Sequence, residues 1–488
     1  MSTQPPTNIA RHTMKGSAYS IASSAVTIGL GIFRAIVMAR WIAPEAFGVT
    51  ALALFYLELA SQIGTIGLNS AFIHRKEVDE KVRATYFSMN LVLTVGSLVI
   101  LALFTPLIVR FNPNFPQLGA VIFALMGIEL IKMFNETQNT ILSKDLAFGR
   151  LALVDALSAV VMTIVGPVVA YMGGGVWAIL AERFSGNFTR SVTIWVIYKP
   201  WRPRWGWDWP LVRWFWDFGI KVWWMTNLTF LIDRFDDFWT GTALGADPLG
   251  FYSKAYEFAR YPRRVVSGPI LDVFFPTFAH LQDDRLRLSR AFFRATSLIV
   301  RAGCLFSLVF ILTAPEFIRI FLKDTWLPMQ TTFQLMIIYT LLDPISLAAQ
   351  RLLTATGYPN LVLNTRILQT VLFIPSVILF AAWWGIEGVA LAADVMVLIG
   401  TVWIFRHTFQ VVDYSLRQLW FWPLVALTIT GGAIWALNPF WAGLSLWAAM
   451  IAKIVLIPLL FGGILLLTER EQILTGWNML YGMVKRKA

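Results

Sequence analysis

The chain has 488 residues, of which 57% are hydrophobic and only 14% charged, and its mean hydropathy is +0.65. A soluble globular domain carries about 25% charged residues, so this balance excludes one and indicates a polytopic helical membrane protein. The formal net charge of +12 does not argue for nucleic-acid binding, because basic cytoplasmic loops give a membrane protein the same excess. Cys304 is the single cysteine and there are four scattered histidines. An internal disulfide and a Cys-based metal site are therefore excluded, and no cofactor or zinc site is expected.

Residues 1–14 are polar, contain Pro5-Pro6, and read as a cytoplasmic tail without a cleavable-signal pattern. Fourteen apolar runs follow, each of a length to cross a bilayer. They fall at about 15–42, 47–73, 82–108, 117–143, 148–172, 174–197, 213–243, 251–277, 291–321, 327–354, 360–383, 387–410, 418–437 and 446–468. No alternating pattern of short strands suggests a barrel. The expected organisation is an N-terminal six-helix bundle over 15–197, an interfacial linker over 198–212, a second six-helix bundle over 213–411, two extra helices over 412–468, and a basic cytoplasmic tail over 469–488.

Basic residues concentrate in alternate loops. One set holds Arg75, Lys76, Lys81 and Arg83, then Lys144 and Arg150, then Arg202, Arg204 and Arg213, then Arg285, Arg287 and Arg290. The other set has only Arg110 and Lys323. By the positive-inside rule both termini are cytoplasmic. The external loops are too short for a catalytic domain, so the chain is not expected to be an enzyme. The linker sequence Lys199-Pro-Trp-Arg-Pro-Arg-Trp-Gly-Trp-Asp-Trp-Pro210 suits a headgroup layer, where Trp and Arg both partition.

The stretch Leu228–Asp284 holds the densest charge: Asp233, Arg234, Asp236, Asp237, Lys254, Glu257, Arg260, Arg263 and Arg264. At membrane depth each costs about 2.5–3.5 kcal/mol at a helix centre. Such a cluster must pair internally or line a wet cavity. Pro262 and Pro269 are expected to kink this segment. Two further stripes share a helix face: Ser20, Ser23, Thr27, Gly31 and Arg34 in the first span, and Glu58, Gln62, Thr65 and Asn69 in the second. Arg34, Arg260, Arg263 and Arg264, with Lys254 and Tyr261, are the expected contacts for an anionic substrate, because the guanidinium fork matches phosphate oxygens. Glu58, Asp233, Arg234, Asp236, Asp237 and Glu257 are expected to hold those cations or to bind a coupling cation. Glu129 and Lys132 are expected to pair along their own helix, Lys453 to snorkel or pack, and Asp155, Asp343 and Asp394 to stand nearly alone.

The turns Trp41-Ile-Ala-Pro44-Glu-Ala-Phe-Gly48 and Leu244-Gly-Ala-Asp247-Pro-Leu-Gly-Phe-Tyr252 occupy corresponding places, as in transporters built from repeated halves. No G-x-x-x-x-G-K-[ST] phosphate loop occurs, so ATP is not the expected energy source. Together with Gly67-Leu-Asn-Ser-Ala71, Arg75-Lys-Glu77, Thr85-Tyr86, Phe275-Pro-Thr-Phe278 and Gln282-Asp-Asp284, these turns give a chain that resembles the polysaccharide transporter branch of the multidrug/oligosaccharidyl-lipid/polysaccharide (MOP) flippase superfamily. Its nearest likeness there is to the flippases of lipid-linked repeat units of colanic-acid type.

The resemblance implies two six-helix bundles in a V, with two peripheral helices. It implies a bacterial inner-membrane flippase that carries undecaprenyl-diphosphate-linked oligosaccharide to the outer leaflet, beside a polymerase and glycosyltransferases of the same pathway. The alternatives are a multidrug exporter of the same superfamily and a membrane polymerase or ligase of envelope glycans.

Overall fold

The structure is a computed structural model that describes residues 26–145, 147–198 and 201–470. The expected tail 1–14, Ser20 and Ser23, Lys199, and the tail from 471 onward lie outside the described residues. The described chain is helical throughout its regular parts. Its helices are α1 (26–41), α2 (Pro44–Thr65), α3 (Leu68–His74), α4 (Glu80–Phe111), α5 (Leu118–Lys144), α6 (Phe148–Tyr171), α7 (Val176–Val192), α8 (Trp209–Leu244), α9 (Ala246–Ala259), α10 (Gly268–His280), α11 (Arg285–Phe317), α12 (Gln330–Ala355), α13 (Pro359–Thr408), α14 (Leu416–Ala436), α15 (Asn438–Ala442) and α16 (Leu446–Thr468).

Among the described residues, eight helices are long and apolar enough to cross a membrane. Two of the expected spans are the arms of α13, which is broken at Gly385 (φ 61, ψ −134). That backbone conformation is open to glycine at little cost, and it falls between the spans expected at 360–383 and 387–410. The expected kink near Pro262 takes the form of a π-helical turn, Arg263–Ser267, between α9 and α10.

Helix starts are built from local chemistry. The side chains of Asp79, Asp208, Asp284, Ser415 and Ser445 accept hydrogen bonds from backbone N–H groups in the first turns of α4, α8, α11, α14 and α16, satisfying donors that a helix end leaves open. Exposed apolar side chains line the outer faces: Leu103 and Phe104 on α4, Ile164 and Val168 on α6, Leu459 and Leu467 on α16. Faces of this kind are what a lipid-contacting helix presents.

The described chain divides into two compact units after Gly250. In the first unit α2 is central and packs against α4, α5, α7 and α8. Its core includes Leu52, Leu57, Leu118, Val121, Ile122 and Leu249. A separate cluster of Phe72, Tyr86, Ile141, Trp201 and Phe215 closes the other end. The Trp/Arg-rich linker lies on this second cluster. Trp201 donates its indole N–H to Glu80 Oε2 at 3.0 Å, its carbonyl accepts from Gln138 Nε2 at 2.7 Å, and Gly206 N donates to Ser88 Oγ at 3.0 Å. Trp205 and Trp209 remain exposed.

The two matching turns meet within the first unit. The turn expected within 244–252 is shorter than its sequence suggests: Gly245 alone reverses the chain (φ 103), and α9 begins at Ala246. The starts of α2 and α9 then touch backbone to backbone. A Cβ on Gly48 would stand 1.8 Å from the Ala246 carbonyl oxygen, and one on Gly250 would stand 2.0 Å from that of Pro44. No side chain fits at either place, which gives a physical reason for glycine at both.

In the second unit α11 packs against α12, α14 and α16, and α12 against α13. Phe278, Phe292, Val300, Cys304, Leu352 and Ile457 lie in one continuous core.

Candidate functional site

The polar stripe of α2 lines a cavity of about 340 Å³ in the first unit. Glu58, Ser61, Gln62 and Thr65 of α2, with Asn69 of α3, form one wall. Asn90 and Thr94 of α4 form a second, and Glu129, Lys132, Met133 and Glu136 of α5 form a third. The spacing on α2 predicts its wall. The α5 wall adds Glu136, and the α4 wall adds Asn90, neither of which the sequence reading singled out. Their signal was available: Glu129, Lys132 and Glu136 recur at three and four residues, one helix face.

Each carboxylate has its own partner. Both Glu58 oxygens accept from Arg234 of α8, Oε2 from Nε at 2.8 Å and Oε1 from Nη2 at 2.9 Å. Arg234 also donates to Asp237 Oδ2 at 3.0 Å. Trp223 of the same helix donates to the Gln62 carbonyl at 2.7 Å. Lys132 donates to both oxygens of Glu129, at 2.9 and 3.2 Å, the expected pairing along α5. Glu136 Oε1 accepts from Asn69 Nδ2 at 2.5 Å, while Asn69 Oδ1 accepts from the buried Tyr86 hydroxyl. The Asn90 Nδ2 group is buried and donates to no protein acceptor.

The remaining predicted site residues are placed as follows. Arg34 of α1 pairs with Glu182 of α7, with Nε 2.7 Å from Oε1, and both side chains are largely buried. Asp233 is exposed, whereas Asp236 and Asp237 are buried. Asp236 Oδ1 accepts from the Asp237 backbone N–H at 3.0 Å. In the second unit, buried Lys254 donates to Glu257 Oε2 at 2.6 Å. Arg260, Arg263 and Arg264 have three different neighbours. The Arg260 guanidinium lies 5.0 Å from the Tyr256 ring centre, Arg263 pairs with Asp343 of α12, and Arg264 lies 5.8 Å from the ring of the buried Tyr261.

Two expectations are corrected here. Asp343 does not stand nearly alone, because it forms an ion pair with Arg263, and Asp155 pairs with Arg190 of α7. Neighbouring helices supply the cation in both cases, and a single span cannot reveal that partner. Lys453 packs rather than snorkels. It is buried, 2.6 Å from Glu316 Oε1, and it also donates to the Leu312 carbonyl.

A second cavity of the first unit, about 610 Å³, is almost wholly apolar. Phe55, Leu59, Phe111, Phe230, Phe235 and Phe238 are among its lining residues. Phe55 and Leu59 lie on the face of α2 next to the polar stripe, since 100° per residue separates the two rows by less than a half turn.

The fold defines a class. Over 94% of this chain and 99% of the other, the structure matches lipid II flippase MurJ in an inward closed conformation, with a TM-score of 0.75 at 13% identity. It matches an inward-facing multidrug resistance MATE family transporter of the MOP superfamily over 80% of this chain and 98% of the other, with a TM-score of 0.64 at 15% identity. The described helices thus share the all-helical fold of these two transporters. The chain belongs to the Polysaccharide biosynthesis protein family, whose model matches residues 37–331. The lipopolysaccharide biosynthesis protein WzxC of Escherichia coli (strain K12) is 24% identical over 398 residues, covering 80% of this chain and 79% of WzxC.

Proposed function

We propose that this protein moves an undecaprenyl-diphosphate-linked oligosaccharide repeat unit across the bacterial inner membrane, from the cytoplasmic to the outer leaflet, by alternating access on fourteen spans with both termini in the cytoplasm. The observation that carries the reading is the pair of cavities on adjacent faces of α2, one polar and charged, the other apolar and aromatic. A lipid-linked glycan has the same two-part chemistry. The family and the names of its relatives point the same way.

In the first unit Arg34, and in the second, taken by itself, Arg260, Arg263 and Arg264, are proposed as phosphate contacts during the cycle, each exchanging or sharing its present neighbour for phosphate oxygens. Glu182 and Asp343 would hold Arg34 and Arg263 charged and oriented until the ligand arrives. Glu58, Asp237 and Glu257 would do the same for Arg234 and Lys254. The chemistry is binding and release alone; no bond of the glycan breaks. Contact with a polymerase and glycosyltransferases would let consumption of the product on the outer side pull the cycle forward.

The test is reconstitution. Purified protein in proteoliposomes should expose a fluorescent polyprenyl-diphosphate-linked oligosaccharide to an external lectin far faster than empty vesicles do. Arg34→Ala should lower the rate about tenfold or more, the scale of one lost charge-assisted phosphate contact. A wild-type rate equal to that of empty vesicles would remove the proposal.

A further inference from the structure

We propose that the polar cavity between α2, α4 and α5 is a recognition site for the sugar part of the ligand, selective for neutral, hydroxyl-rich rings over acidic ones. This rests on the flippase reading above and assigns its headgroup to a place. The cavity volume of about 340 Å³ lies within the range of small-molecule pockets, about 300–1,000 Å³.

The lining has the mixed character that hydroxyls require. A sugar hydroxyl donates once and accepts twice. Glu58, Glu129 and Glu136 supply acceptors, while Lys132, Gln62 and Ser61 supply donors. Asn90 and Thr94 of α4 add a further polar wall to the same space. The carboxylates keep lone pairs to spare, since each oxygen can accept more than one bond.

The charge balance decides what is rejected. Three carboxylates face the space, with Lys132 within it and Arg234 behind Glu58. A uronic acid or a phosphate placed there would meet a net negative wall. A metal ion is the other ligand that carboxylates suit. However, among the described residues no group of three or more His, Cys, Asp or Glu side chains is close enough to hold one. The carboxylates are spread apart, each on its own partner, which fits a ring with hydroxyls on several sides.

The experiment compares two synthetic polyprenyl-diphosphate donors in proteoliposomes, one carrying a neutral hexose and one the matching uronic acid. Wild type should move the neutral donor about tenfold faster, the scale that like-charge juxtaposition gives. Glu129→Gln with Glu136→Gln, in which an amide oxygen can still accept from Asn69, should shrink the preference to about twofold or less. Asn90→Leu should raise the KM for the neutral donor, while undecaprenyl diphosphate without sugar competes as it does in wild type. Failure of wild type to move either donor would sink the flippase reading itself. Equal transport of both donors by wild type, or a preference unchanged in the double variant, would overturn the sugar site alone.

Discussion

The polar cavity of the first unit and the ion pairs of the second are made from the same residue types, yet one set borders open space and the other is closed off from it. In the second unit Lys453 and Glu316 have side chains only 7% and 10% exposed, 2.6 Å apart. Arg301 and Glu469 are similarly buried, at 2.7 Å. These pairs tie α16 and the residue after it to α11 and border no cavity described here. In the first unit Glu58 and Arg234 are each 36% exposed beside a cavity. A charge in an apolar helix can therefore either face a cavity or close a dry contact between helices. Polar neighbours at three- and four-residue spacing, with space in front of them, distinguish the two cases.

Breaking a dry pair should give the largest effect. Lys453→Met leaves Glu316 buried without its cation and should cost about 3–5 kcal/mol of stability. Adding Glu316→Leu should recover most of that, since replacing both partners by apolar groups is often neutral. Thermal unfolding in detergent reads both.

Next comes the backbone contact between α2 and α9. Gly250→Ala places a Cβ against the Pro44 carbonyl oxygen. Overpacking of this kind costs about 1–3 kcal/mol, and the same unfolding assay should register it. Glu58→Gln should lower stability by no more than about 1 kcal/mol, because the pair is partly exposed and Arg234 keeps Asp237. The same variant should slow lipid-linked glycan transport clearly, and that separation of stability from transport is what the comparison predicts.

The smallest effect lies at Asp413, in the loop before α14, where Arg285 hydrogen-bonds its exposed carboxylate at 2.7 and 2.8 Å. That bond holds the Asp413 carboxyl below its usual pKa. A depressed carboxylate stabilises the fold above its unfolded pKa and loses that contribution as pH falls. The wild-type advantage over Asp413→Asn should therefore be present at neutral pH and fade below about pH 4. Melting curves across that range would show it.

Much of this contrast could be read from sequence along single helices. The stripe Glu58, Gln62, Thr65 and Asn69 and the Glu129–Lys132 pair are both local, since 3.6 residues per turn places them. The break at Gly385 and the linker expected over 198–212, which in the structure ends at Asp208, announce themselves by Gly, Pro and Trp content. Partners from other helices were not legible: Glu182 for Arg34, Asp343 for Arg263, Glu316 for Lys453. Which helix supplies a counter-charge depends on packing, and a hydropathy pattern does not specify neighbours. The same holds for α8, whose Arg234 pairs with Glu58 of α2, although the composition break at 198–212 precedes it.

The most direct test of the central claim is photo-crosslinking from two positions. A benzophenone side chain replacing Gln62, in the polar cavity, is compared with one replacing Leu459, 65% exposed on α16, using a radiolabelled polyprenyl-diphosphate-linked oligosaccharide in membranes. Strong glycan labelling is expected at position 62, competed by unlabelled donor, and only background at 459. Equal labelling at the two positions, or none at 62 in a transport-competent protein, would contradict it.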